Sequence, residues 1–114
     1  MNLLSELKGL ITSLGIQVET GVFKDKAPDE YIVITPLADT FGYHADDLPY
    51  YDLQRARVSL FSKDNYLMSK YKIVFILQNA DFVITDRRYI GYEGSTGYHH
   101  WLVDVIKEYE FMEE

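Results

Sequence analysis

The sequence predicts an α+β domain: a mostly antiparallel β-sheet of four to five strands, with an N-terminal helix and a second helix packed on it. Three observations carry this. Apolar residues near the start recur at spacings of three and four, short β-branched and aromatic runs bounded by turn residues follow, and a second helical spacing interrupts them after Asp64. The 114 residues suit one domain, residues 1–114, and a hydrophobic fraction of 47% supplies a core.

Leu3, Leu4, Leu7, Leu10, Ile11 and Leu14 form one broad helical face, and Gly15 stands where a left-handed C-terminal cap is expected. A helix this short needs a sheet or a partner to cover that face. Gln17 to Phe23 reads as a short strand and Lys24 to Asp29 as a charged turn. Tyr31 to Leu37 (YIVITPL) is a strand that ends at Pro36 or lies at an edge, because proline lacks a ladder donor. Asp39 to Tyr51 (DTFGYHADDLPYY) mixes Gly, Pro and Asp with aromatics and reads as a long loop, the kind that often has a task.

Asp52 to Phe61 alternates, with Ala56, Val58 and Leu60 on one face and Arg55, Arg57 and Ser59 on the other. Ser62 and Asp64 offer cap oxygens to a helix over Asn65 to Gln78, with Leu67, Met68, Tyr71, Val74 and Phe75 at helical spacing. Its VFIL segment also has strand character. Phe82 to Glu93 and Gly97 to Phe111 flank a Gly-containing turn and make a hairpin.

The formal charge is −7, from 18 acids against 11 bases, which disfavours a general or sequence-specific nucleic-acid binder. Glu108, Glu110, Glu113 and Glu114 form an acidic tail expected in solvent. With no Cys there is no disulfide framework, thiolate zinc site or Cys nucleophile. The N-terminal apolar run is too short and polar for a membrane span and lacks a signal-peptide pattern. Ten Tyr residues suit recognition surfaces, although Tyr is also a good strand former.

No constellation supports a reaction, so neither an enzyme nor a bound cofactor or metal is expected. His99 and His100, with His44 as a third candidate, would be metal ligands, but neighbours on a strand point to opposite faces. Ser95 and Thr96 near His99, with Asp104 beyond, lack the strand–elbow–helix setting of a nucleophile. Asp46 and Asp47 adjoin on a loop, where solvation is the commoner role.

Arg87 and Arg88 are different. Adjacent on a strand, they need either an internal acid such as Asp104 or Glu108, or a partner's carboxylate. Arg55 and Arg57 make a small basic strip that could meet an acidic face of an identical neighbour. The candidate interface is therefore Arg55, Arg57, Arg87 and Arg88, with the loop residues Phe41, Tyr43, His44, Tyr50 and Tyr51.

The stretch Phe82 to Glu93 (FVITDRRYIGYE), followed by Thr96 to Glu110 (TGYHHWLVDVIKEYE), resembles small tail-completion proteins of siphophages and Gram-positive prophages. Element order extends the likeness, with the N-terminal helix followed by the Tyr31 to Ile34 strand. The resemblance implies a tail terminator or head–tail joining protein. Such a chain assembles as a ring, typically hexameric, that caps the tail tube and docks on the head connector. It would be made in the host cytoplasm and reside in the virion neck. The family has no catalytic residues to carry over. Other readings are a head-completion (stopper) protein of the same neck, a small acidic module that covers a basic protein, and, last, an enzyme using His44, His99 and His100.

Overall fold

The structure is a computed structural model that describes residues 2–19, 28–43 and 49–110, with 39–43, 49–51 and 110 described by backbone alone. The element order is α1 (Leu3–Thr12), β1 (Gln17–Glu19), β2 (Glu30–Tyr43), β3 (Pro49–Ser62), α2 (Tyr66–Asn79), β4 (Val83–Glu93) and β5 (Tyr98–Glu110). One five-stranded mixed sheet has the order β1-β2-β3-β5-β4, with β1 parallel to β2 and the other neighbours antiparallel. The α+β architecture is as the sequence predicts.

Strand alternation divides this sheet into two unlike faces. The pairs Ala56↔Val105, Val58↔Val103 and Leu60↔Trp101 lie opposite one another on β3 and β5, all buried. Ile32 and Ile34 extend that face onto β2. Over it lie Leu3, Leu7 and Ile11 of α1 and Ile73 and Leu77 of α2, closing one core. Asn2 caps α1 by accepting from the Ser5 N–H at 2.8 Å. Gly15 ends it at φ +84°, a left-handed conformation that costs glycine nothing.

The expected loop at Asp39 to Tyr51 is mostly strand. β2 and β3 stay paired from Glu30↔Ser62 out to Tyr43↔Pro49, forming one long hairpin arm. Two physical facts explain the difference. Among the described residues β1 pairs with β2 only at Tyr31, Ile32 and Val33, so no described neighbour needs a donor from Pro36. A register shift between Pro36 and Ala38 then absorbs the irregularity. The remainder of the expected loop, including His44, and the Thr20 to Phe23 part of the first strand lie outside the described residues.

α2 is capped by Asn65, whose Oδ1 accepts from the Leu67 N–H at 3.2 Å, and by neither Ser62 nor Asp64. Ser62 is still held in the ladder opposite His99, so its hydroxyl takes the Asp64 N–H instead. Ser69, buried on α2, donates to Glu30 Oε2 at 2.6 Å and ties the helix to the start of β2. At its other end Asp81 turns the chain at φ 67°, a conformation Asp tolerates better than most residues.

A polar node joins both helices to the sheet. Lys107 Nζ on β5 donates to Glu6 Oε2 of α1 at 2.7 Å and to the Ala80 carbonyl after α2 at 2.8 Å. The Tyr109 hydroxyl donates to Glu6 Oε1 at 2.7 Å, and the Phe82 ring lies 4.7 Å from the ammonium. Burial alone would raise the Glu6 pKa, but hydrogen bonds from Lys107 and Tyr109 and the lysine charge hold it below its ordinary 4.5.

Two expected outcomes follow for stability. Leu77→Ala should cost about 3 kcal/mol, read as a lower urea midpoint with an unchanged m value. Lys107→Ala should cost about 2 kcal/mol, because it strands a half-buried carboxylate. Glu6 has a depressed folded pKa, so its contribution is present above 4.5 and is lost as pH falls through the folded value. In Lys107→Ala the acid-induced loss below pH 4.5 should therefore shrink.

Candidate functional site

The residues singled out by sequence separate into two groups. Arg57 donates to Asp104 across the β3–β5 ladder through Nε at 2.8 Å and through Nη2 at 3.0 Å, a bidentate pair. The hydrogen bonds that Arg57 donates to Asp104 raise the Arg57 pKa against a smaller opposing effect of burial. Arg57 is thus an internal bridge, and Asp104 is not available to Arg87 or Arg88. Arg88 instead reaches Asp86 on its own strand, Nε to Oδ2 at 2.8 Å, with both groups exposed. Arg87 is exposed and has no ion-pair partner among the described residues. Arg55 is half-buried on the same face of β3 as Arg57.

Phe41 and Tyr43 fall on β2, and Tyr50 and Tyr51 on β3, at the outer end of the hairpin arm. Their side chains, like the whole of His44, lie outside what the structure describes. Glu108 is exposed on β5 and Glu110 pairs with Tyr51 through the ladder, so half of the acidic tail is strand; Glu113 and Glu114 lie outside the described residues.

His99 and His100 point to opposite faces, as alternation requires. His99 sits among Tyr66, Tyr89 and Tyr92, with Nδ1 2.9 Å from the Tyr89 hydroxyl. His100 stacks on Phe61 at 4.2 Å, and its Nε2 is buried with no hydrogen-bond partner among the described residues. Burial, and then the Arg57 charge, hold the His100 pKa below its ordinary 6.5. Thr96 bonds Glu93 at 2.7 Å rather than His99, and Asp104 is held by Arg57. The residues considered for nucleophilic chemistry are therefore not brought together. Among the described residues no three His, Asp or Glu side chains converge as metal ligands, and no helix is long and apolar enough to cross a membrane.

What the structure adds is apolar surface the fold leaves uncovered. The residues that gave α2 its helical spacing in the sequence were Leu67, Met68, Tyr71, Val74 and Phe75. In the fold Ser69, Ile73 and Leu77 are buried, while Met68, Tyr71 and Phe75 are 64%, 62% and 70% exposed. At 100° per residue these three point directly away from the sheet, with Leu67 beside them. Both faces of the helix are apolar, so periodicity offered two stripes and no means of ranking them.

A second uncovered region lies across the molecule. Among the described residues the sheet's other face carries no helix, and β4 is an edge strand on which Val83 and Ile90 are exposed, while the exposed Tyr89 and Tyr92 lie toward His99. Near the β4–β5 turn, a groove of about 410 Å³ is lined by Phe61, Ile90, Tyr92, Glu93, Tyr98 and His100. Its floor is well fixed. Tyr31, Phe61 and His100 stack in series, with Tyr98 edge-on and its hydroxyl bonded to the Pro28 carbonyl.

Set against known proteins, the chain matches no family model and no curated relative.

A pH effect checks the description of His100. Its folded pKa is depressed, so the unfolded chain binds more protons as pH falls from 6.5 through the folded value, and stability is lost there. His100→Phe keeps the stack on Phe61 and removes the orphaned nitrogen. It should leave neutral-pH stability unchanged or raise it by about 1 kcal/mol, and should flatten stability between pH 7 and about 5. Denaturant melts across that range are the measurement; an unchanged pH slope would contradict the assignment.

Proposed function

We propose that this chain is a structural subunit of a tailed-phage neck, a tail terminator or tail-to-head joining protein. It acts in a ring, a hexamer by the family resemblance, that caps the tail tube and docks it on the head connector. The observation that carries the assembly part is the outward stripe Met68, Tyr71 and Phe75 on a helix whose other face already serves the core. A contiguous apolar patch on a soluble domain marks a place where another protein sits. The phage part rests on the resemblance of Phe82 to Glu110, together with the order helix, strands, helix, hairpin that the fold displays. The long β2–β3 arm adds reach beyond the helix-covered core, in a molecule 53 Å long and 25 × 23 Å across.

Electron microscopy of particles from the parent prophage, with the gene deleted and then restored, tests this reading. A terminator predicts overlong or irregular tails lacking heads, repaired on restoration. Tails of normal length beside unjoined or leaking heads would move the role to the stopper on the head side of the neck. Intact infectious particles would remove the neck reading altogether and leave a small acidic binding module, consistent with the charge of −7, as the reading to pursue.

A further inference from the structure

The two uncovered apolar regions are on opposite layers of the molecule, one on the outside of a helix and the other on the helix-free face of the sheet. The stripe runs from Met68 to Phe75, about 10 Å along the helix axis. The groove runs beside Ile90 to Glu93 on β4, which also spans about 10 Å of strand. We infer that the Met68–Tyr71–Phe75 stripe of one copy seats in the Phe61–Ile90–Tyr92–Tyr98 groove of a second copy, so that the chain associates with itself head to tail. This deepens the ring reading by naming the contact between neighbouring subunits, and it rests on that reading.

Charge selects this occupant over the simpler alternative. α2 carries Lys70 and Lys72 and no acid. Lys72 flanks the stripe, so packing α2 against α2 of a two-fold partner would bring lysines together with nothing on either helix to offset them. The groove contributes Glu93 and neither Lys nor Arg to its lining, and the nearby Lys63, which lies over the Tyr98 ring, is itself opposed by Asp29 at 3.8 Å. Lys72 of one copy beside Glu93 of the next gives opposite charges at the rim of an aromatic contact, the usual anatomy of an interface. Because donor and acceptor surfaces differ, the contact is heterologous and repeats from copy to copy, closing into a ring when the rotation permits. It also places a helix over the sheet face that lacks one.

The chain has no cysteine, so introduced ones report cleanly. Phe75→Cys and Ile90→Cys both change exposed side chains, and thermal melts establish that each variant is folded. Mixed under mild oxidation, the two should cross-link to each other, while each alone gives at most a trace. The double variant should give a ladder of covalent multimers. In parallel, sedimentation velocity should show wild-type self-association weakened tenfold or more by Phe75→Glu. Cross-linking of Phe75→Cys alone as efficiently as the mixture would overturn the contact in favour of α2–α2 pairing. Wild type that assembles, with Phe75→Glu unaffected and no mixed cross-link, would overturn this contact while the ring stands. Wild type that stays monomeric at the highest attainable concentration with no cross-link would also overturn it, and the neck role would then be decided by the particle microscopy alone.

Discussion

Everything in the described residues depends on one constraint: five strands make a sheet with two faces, and the two helices described both lie on the same side. The β3–β5 ladder decides which side. Its register sets Ala56, Val58 and Leu60 against Val105, Val103 and Trp101, so an uninterrupted apolar surface forms where α1 and α2 settle. The Lys107 node then fixes the helices relative to each other, since one ammonium bonds both Glu6 of α1 and the carbonyl that ends α2. The opposite face receives the alternate residues, Arg57, Ser59, Phe61, His100, Leu102 and Asp104. Among the described residues that face is protected by its own side chains. Arg57 and Asp104 neutralise one another, and Phe61 and His100 shield each other by stacking. It is a face built to be half dry, which is a poor match to open solvent and a good one to another protein surface.

The sequence was legible where one signal dominated. The Leu3, Leu7, Ile11 spacing and Gly15 define α1 because no competing period exists there, and the Gly97 turn between two β-branched runs defines the last hairpin. It was misleading where a local rule depends on who the neighbour is. Pro36 predicts a strand end only if a neighbour needs its N–H, and among the described residues β1 pairs with β2 no further than Val33, so none of them does. The Asp, Gly and Pro of Asp39 to Tyr51 predict a loop, yet Phe41, Tyr43, Tyr50 and Tyr51 are strand formers, and the ladder from below carries the pairing onward. Ser62 is a good cap residue in isolation but is already committed to the ladder, so Asn65 takes the role.

The candidate site was legible to a lesser degree, for the same reason. Four arginines in an acidic chain look like a basic surface, but three-dimensional pairing removes Arg57 and ties Arg88 to Asp86. Of the four, Arg87 keeps an exposed guanidinium with no ion pair among the described residues. The exposed stripe of α2 was written into the sequence, but its orientation was not. Leu67, Met68, Tyr71 and Phe75 have the right spacing for a core face, and so do Ser69, Ile73 and Leu77. Period alone cannot say which stripe faces the sheet. Size helps: Ser69, Ile73 and Leu77 are more compact than Met68, Tyr71 and Phe75, and let the helix lie nearer the sheet.

That choice bears on what the molecule is for. A helix needs only one apolar face to fold onto a sheet, and a second face with a Met, a Tyr and a Phe exposed adds an aggregation hazard without adding stability to the monomer. Such a surface is tolerable when it spends its time covered. The cover must be apolar, must carry acid at its edge, and must be present wherever the chain is. A small ligand fails the first requirement of size, since the stripe is convex and offers no enclosure. Another copy of the chain satisfies all three, because its sheet presents an apolar groove with Glu93 at the rim. The self-association inferred above rests on the same division of the sheet into a face covered by helices and one that is not. One layer makes the monomer fold, and the two surfaces left over are complementary to each other.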